Sequence, residues 1–240
     1  MIHYGKFDSF EELRAAAEKE LRCHIGRIKK RSAASKRYRI EHCLRVATIG
    51  RTVALASGLD PELLEIACLL HDIGKWDAQK PVDHGRSGAL YAYAFLIKAG
   101  IKKSEAREIA QGIAMHTDGL CNPRADKQGT KKNAEGKAYF IFDSEPSILA
   151  RSVGDCDNID RFSAYRIADT LEHFTFMELS NVKQIAWIKR YLASLKDYRR
   201  YVCATDEAQR QWIANLAFQE QFFQHLLNDV QRADIKDVKD

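Results

Sequence analysis

LLHDIGKWD, residues 69–77, is the stretch from which the rest of this 240-residue chain is read. His71 and Asp72 stand side by side at the end of a run in which Leu63, Leu64, Ile66, Ala67, Leu69 and Leu70 cover more than one face of a helix. That is the pattern of a segment packed on most sides. Asp60-Pro61 starts the helix with a capping carboxylate and a proline at the first helical position. An ionised aspartate at the inner end of such a helix is costly unless it is paired or coordinates a cation. A metal ion satisfies both polar groups and requires further ligands elsewhere in the chain.

Candidates for those ligands recur downstream and upstream. His42 lies in EHCLRVATIGRTVALASG, a helix stopped near Gly58. Val46, Ile49, Val53 and Ala56 follow it at spacings of three and four, so His42 falls on the core-facing stripe. In HGRSGALYAYAFL, His84 shares a face with Gly88, Tyr91 and Phe95, and His116 ends a segment whose Ile109 and Ile113 lie on its own side. ILARSVGDCDNIDRF then returns carboxylates to a mostly apolar helix, with Asp157 roughly in phase with Ala150 and Val153. A lone histidine on an apolar face is more often a satisfied core residue than a ligand. The His71-Asp72 pair is harder to satisfy in that way.

The ordered series His42, His71-Asp72, His84, His116, Asp157 resembles the HD superfamily of metal-dependent phosphohydrolases over about residues 38–165. HDIGK is a common form of that superfamily's central motif, and His84 followed by Gly88-Ala89 is similar to its next helix. The resemblance implies that His42, His71, Asp72 and Asp157 hold one divalent ion, and that His84 and His116 bind a second with Asp72 as bridge. His116 could instead bond to substrate or cap its helix. In the superfamily the final aspartate sits two residues before an aliphatic one, which favours Asp157 over its rival Asp155, whose alternative role is to support the ligands. Asp72 and Lys75 are the implied catalytic residues, and Lys75 and Arg86 the implied phosphate contacts. Imidazoles mixed with carboxylates suit iron, manganese, nickel, cobalt or zinc, with magnesium also open. His84-Gly85, Gly88-Ala89 and His116-Thr117-x-Gly119 further resemble the bacterial HD hydrolases of diadenosine polyphosphates. This chain departs from them by a long basic insertion after His116 and by added C-terminal helices.

Composition agrees with an all-α protein, an HD-type helical bundle with helical extensions at both ends. There are only four prolines, and good helix formers dominate. The division expected is residues 1–36 as an N-terminal extension, 37–175 as the metal-dependent core and 176–240 as C-terminal helices packed on it. Ser9-Phe10-Glu11-Glu12 reads as a capping box that starts a helix running to about Lys30. Core helices are expected near 38–57, 61–73, 86–99, 104–116 and 147–162. The 117–146 stretch is a polar loop, long for a compact domain, whose second half, KAYFIFDSEPS, could fold back as a lid or hairpin. The C-terminal segments carry no ligand-like cluster and are assigned to packing, pocket walls or a homodimer surface.

No apolar run approaches a membrane span and the first residues lack signal-peptide features. Six scattered cysteines suggest neither a zinc knuckle nor a disulfide framework, so reduced thiols in a cytoplasm are expected. Net charge is +5, with basic clusters before His42 and after His116 that are either solvated faces or attractors of an anionic substrate. Nucleic acid as a partner is disfavoured, since no nucleic-acid module is recognisable. The function expected is hydrolysis of a small phosphorylated substrate, a nucleotide or dinucleoside polyphosphate, by metal-activated water. The alternatives are a non-hydrolytic nucleotide-binding regulator on the same scaffold and an HD-type nuclease.

Overall fold

In the computed structural model, residues 4–78, 83–118, 142 and 144–233 are described, and among them nine α-helices account for the architecture. The chain forms two compact units, Met1–Asp160 with Cys203–Ala208, and Arg161–Val202 with Gln209–Asp240.

The first unit contains α1 (Phe10–Arg27), α2 (Ala33–Ser57), α3 (Pro61–Leu70), α4 (His84–Ala99), α5 (Lys103–Met115) and α6 (Ile148–Arg161) up to Asp160. Its centre is α3, every residue of which from Leu63 to Leu70 is buried. Asp60 Oδ1 accepts from the Glu62 and Leu63 amides at 3.0 and 3.1 Å, with Pro61 in the first turn, as the sequence predicts. Around α3 pack α2, α5 and α1. The N-terminal helix is part of this unit, burying Phe10, Leu13, Ala17, Leu21 and Ile25. Ser9 caps it by accepting from the Glu12 amide, while Glu12 reaches back to the Asp8 amide at 3.0 Å. Glu65, the buried acidic residue of α3, is held by Arg14 at 2.5 Å and Arg51 at 3.1 Å.

Two boundaries differ from expectation. α2 begins at Ala33, capped by Ser32, so part of the basic cluster forms its first turns; it ends at Gly58, whose φ of 68° is the left-handed stop expected of glycine. α3 ends at Leu70, and His71 to Asp77 continue as successive turns, with Ile73, Lys75 and Asp77 amides bonding back three residues. Gly74 explains the change of course. A Cβ there would lie 2.4 Å from the Gly88 amide nitrogen and 2.7 Å from the His84 carbonyl, so only a glycine lets the turn run against α4.

The second unit contains α7 (Ala164–His173), a 3-10 turn at Phe176–Glu178, α8 (Asn181–Tyr198) and α9 (Asp206–Arg232) from Gln209 onward. Ile167, Phe176, Ile188, Phe223 and Leu227 form its core, with Leu171, Leu192 and Trp187 packed against them. Among the described residues five cysteines are free thiols, and no helix is long and apolar enough to cross a membrane. The proposed lid lies largely outside the described residues. Of that segment, Phe142 is buried, with the Arg107 guanidinium 5.8 Å from its ring centre.

Candidate metal centre

Five helices of the first unit deliver the site. His42 comes from α2, His71 caps the end of α3 and Asp72 follows in the turn; His84 opens α4, His116 caps the end of α5 and Asp157 sits on α6. His42 Nε2 is 3.2 Å from His71 Nε2 and 3.0 Å from Asp157 Oδ1, and His71 Nε2 is 3.7 Å from that oxygen. On the other side His84 Nε2 lies 2.9 Å from His116 Nε2. Asp72 stands between the two groups. Its Oδ2 is 3.7 Å from His42 Nε2 and 3.6 Å from His71 Nε2, while its Oδ1 is 2.7 Å from His84 Nε2 and 3.6 Å from His116 Nε2.

Donor atoms about 2.1 Å from one ion stand about 3.0–3.4 Å from each other at octahedral or tetrahedral angles. The observed separations bracket that range. Two triads, His42–His71–Asp157 and His71–Asp72–His116, each keep their donor atoms within 4.8 Å. Ring orientation agrees. His42 Nδ1 is 2.7 Å from Asp160 Oδ2, and the Nδ1 atoms of His71 and His116 donate to the carbonyls of Cys68 at 2.6 Å and Ile113 at 2.7 Å. A proton fixed on Nδ1 leaves the Nε2 lone pair directed inward, the arrangement of a metal-ligating imidazole. Asp72 Oδ1 is also buried with no hydrogen-bond donor aligned on it. These residues fit a divalent cation.

Electrostatics favour the ligating forms of Asp72, Asp157, His84 and His116. Burial opposes ionisation of Asp72, but Arg39 and Lys75, with His71 and His84, hold its carboxyl well below the usual carboxylate range. Asp157 is likewise depressed against its burial by His42 and His71. Burial holds His84 and His116 below the ordinary histidine value, favouring neutral rings. His42 goes the other way: burial works against its imidazolium, yet its bonds to Asp157 and Asp160 raise it.

Sequence reading missed three charged groups. The Arg39 guanidinium bonds directly to Asp72 Oδ2. Asp160 supports His42 and is itself held by Arg45 Nε at 2.7 Å. Helical spacing carried the signal: Arg39 and Arg45 lie one turn either side of His42, and Asp160 one turn past Asp157. Lys75 Nζ is 3.5 Å from Asp72 Oδ1 and 3.2 Å from His84 Nε2. Arg86 is fully buried and its Nη2 donates to both Asp118 oxygens at 3.0 and 3.1 Å. Asp155 faces another way, accepting from the Ala204 amide at 2.7 Å. The side chains of Lys75 and Asp157 keep 28% and 20% of their surface while His71 keeps none, so the cluster opens to solvent on their side.

The HD domain family model matches residues 39–162 of the chain. A "deoxyguanosinetriphosphate triphosphohydrolase-like protein" of Streptomyces coelicolor is 44% identical over 25% of the chain and 13% of its own length. YueE of Bacillus subtilis, which carries a phosphohydrolase name, is 33% identical over 33% of the chain and 51% of its own length. A bifunctional uridylyltransferase/uridylyl-removing enzyme of Vibrio atlanticus is 42% identical over 23% of the chain and 6% of its own length. The chain thus matches about half or less of each of these relatives. Two solved structures share the fold. One, described as a predicted HD superfamily hydrolase from an uncultured Thermotogales bacterium, has a TM-score of 0.59 at 20% identity over 91% of the chain and 92% of its own. The other, Bacillus subtilis YpgQ, has a TM-score of 0.53 at 17% identity over 90% and 96%.

Proposed function

We propose, for a chain that belongs to the HD domain family, that it is a divalent-metal-dependent phosphohydrolase of nucleotide esters or anhydrides. The observation that carries this reading is Asp72, with one oxygen toward His42 and His71 and the other toward His84 and His116. In this reading His42, His71, Asp72 and Asp157 hold one ion. His84 and His116, together with Asp72, would hold a second.

A bound divalent cation supplies Lewis acidity: it makes water a usable nucleophile near neutral pH and offsets charge on the phosphoryl oxygens. The chain's own groups do the rest. Asp160 and the Cys68 and Ile113 carbonyls hold three imidazoles with Nε2 turned inward. Arg39 and Lys75 flank Asp72. Both stand beside the solvent-facing mouth, where they would also contact an anionic substrate. Arg86, expected to join them, also donates through Nη2 to Asp118. The nucleotide class draws support from relatives whose names specify deoxyguanosine triphosphate and the uridylyl group.

The test is a panel of generic phosphoesters, mononucleotides, nucleoside triphosphates, cyclic dinucleotides and dinucleoside polyphosphates, assayed with manganese, iron, cobalt, nickel, zinc and magnesium. The expected result is turnover of at least one nucleotide that is abolished by chelation. Asp72→Asn should lower it by about a hundredfold or more, because losing a ligand costs more than the 10–100-fold of losing its support. No turnover by metal-loaded protein, or equal turnover by Asp72→Asn, contradicts the reading.

A further inference from the structure

A cleft of about 600 Å³ lies wholly within the second unit, on residues 161–198. That volume suits a drug-sized molecule. One wall is a face of α7 with Arg166, Asp169, Thr170 and His173; the other is a face of α8 with Trp187, Arg190, Tyr191 and Tyr198. Each set follows the helical period of three and four. The aliphatic residues of both helices point elsewhere, with Ile167, Leu171, Ile188 and Leu192 in the unit's core. A seam closed by packing alone would turn such aliphatic side chains inward. This one lines open space with charge and with the partly buried rings of Trp187 and Tyr191, which also pack against the core.

Charge and ring geometry specify the ligand. Arg161, Arg166 and Arg190 face a single carboxylate, Asp169, which Arg166 Nη1 meets at 2.8 Å. Positive charge is therefore in excess. Trp187 stacks on Tyr191 with ring centres 5.2 Å apart and planes 13° from parallel. The Tyr191 hydroxyl donates to Gln219 Oε1 at 2.5 Å, and Phe174 lies 5.6 Å from Trp187, so the aromatic wall is held from both sides. A neighbouring depression of about 370 Å³ shares Phe174, Trp187 and Arg190 and extends the space past the indole. Guanidinium forks pair with phosphate oxygens, and aromatic side chains stack on nucleobases without demanding a particular one.

We propose that this cleft is a second binding site, for a phosphorylated ligand carrying a planar aromatic ring, of the nucleotide class. None of its lining residues belongs to the His/Asp cluster. The proposal goes beyond the hydrolase reading and does not depend on turnover.

Equilibrium dialysis of the full chain, freed of metal with EDTA and returned to buffer, against AMP and against GMP tests it. Saturable binding of one nucleotide per chain is expected, and His71→Ala leaves it unchanged. Arg190→Glu, at an exposed position where folding is not at stake, weakens binding about tenfold or more. Trp187→Leu, checked for folding by circular dichroism, weakens it about tenfold. Adenosine, which lacks the phosphate, and ribose 5-phosphate, which lacks the ring, each bind at least about tenfold less tightly than AMP. Absence of saturable nucleotide binding overturns the proposal. So does binding lost in His71→Ala and kept in Arg190→Glu, or ribose 5-phosphate binding as tightly as AMP. Hydrolysis measured on the same proteins separates failure here from failure of the hydrolase reading.

Discussion

Two aspartates five residues apart on α6 separate support for the metal centre from support for the fold. Asp160 accepts from Arg45 and fixes His42 Nδ1, whereas Asp155 accepts from the Ala204 amide. Asp160→Asn is expected to lower metal affinity about 10–100-fold through misorientation of His42. Asp155→Asn is expected to leave metal affinity unchanged and to cost about 1–3 kcal/mol of stability, the penalty of a damaged buried hydrogen bond. Metal titration by calorimetry and urea denaturation of both variants distinguish them; the opposite pattern would make Asp155 the ligand's partner. Arg39→Ala should raise KM for an anionic substrate about tenfold or more at unchanged metal content, since a charge-assisted contact is lost. At this scale the clustering of the histidines was legible because a His-Asp pair buried beside Leu69 and Leu70 is hard to satisfy without a cation. Arg39, Arg45 and Asp160 were not, because a charged residue on an amphipathic helix reads as solvent-facing until its neighbours are placed.

Among the elements, the turn from His71 to Asp77 and its crossing with α4 set the spacing between the two halves of the cluster. Gly74 is the close approach at that crossing, and Gly85 is where α4 meets the end of α5. A Cβ at Gly85 would lie 2.6 Å from the Ile113 carbonyl and 3.0 Å from His116 Nδ1. Backbone cannot yield as a flexible side chain can, so Gly74→Ala and Gly85→Ala are each expected to destabilise the protein by about 1–3 kcal/mol. Gly85→Ala should also weaken binding at the His84–His116 side more than at the His42 side, which metal titration would detect. The glycine of HDIGK was visible as part of a motif, but its purpose depends on the Gly88 backbone across the crossing. α7 was not anticipated, being ten residues long with one buried apolar residue, Ile167. Without α7, the arginine and aromatic faces of the second unit could not be seen to meet, and the C-terminal segments read as packing, pocket walls or a dimer surface.

For the whole molecule, a divalent ion held at the His/Asp cluster would couple binding to stability. The cluster's residues come from five helices of the first unit, so the unfolded chain offers no comparable site. Metal at a hundred times its dissociation constant should therefore add about 2.7 kcal/mol to the unfolding free energy, read from urea denaturation with and without chelator. The metal-free protein should be acid-sensitive. Asp72, Asp157 and Asp160 are depressed in the folded state, so the unfolded chain takes up protons first. The stability they confer is present above about pH 4, the ordinary carboxylate value, and is lost as the pH falls below it toward the folded values. Denaturation of metal-free protein between pH 6 and pH 3 should show that loss, and Asp160→Asn should flatten it.

The most direct measurement is elemental analysis of the purified protein together with anomalous diffraction from crystals grown with manganese. A peak ringed by His42, His71, Asp72 and Asp157, with occupancy that disappears in Asp72→Asn, is the predicted result. Protein that holds no divalent metal under these conditions, or an ion bound away from these four side chains, would contradict it.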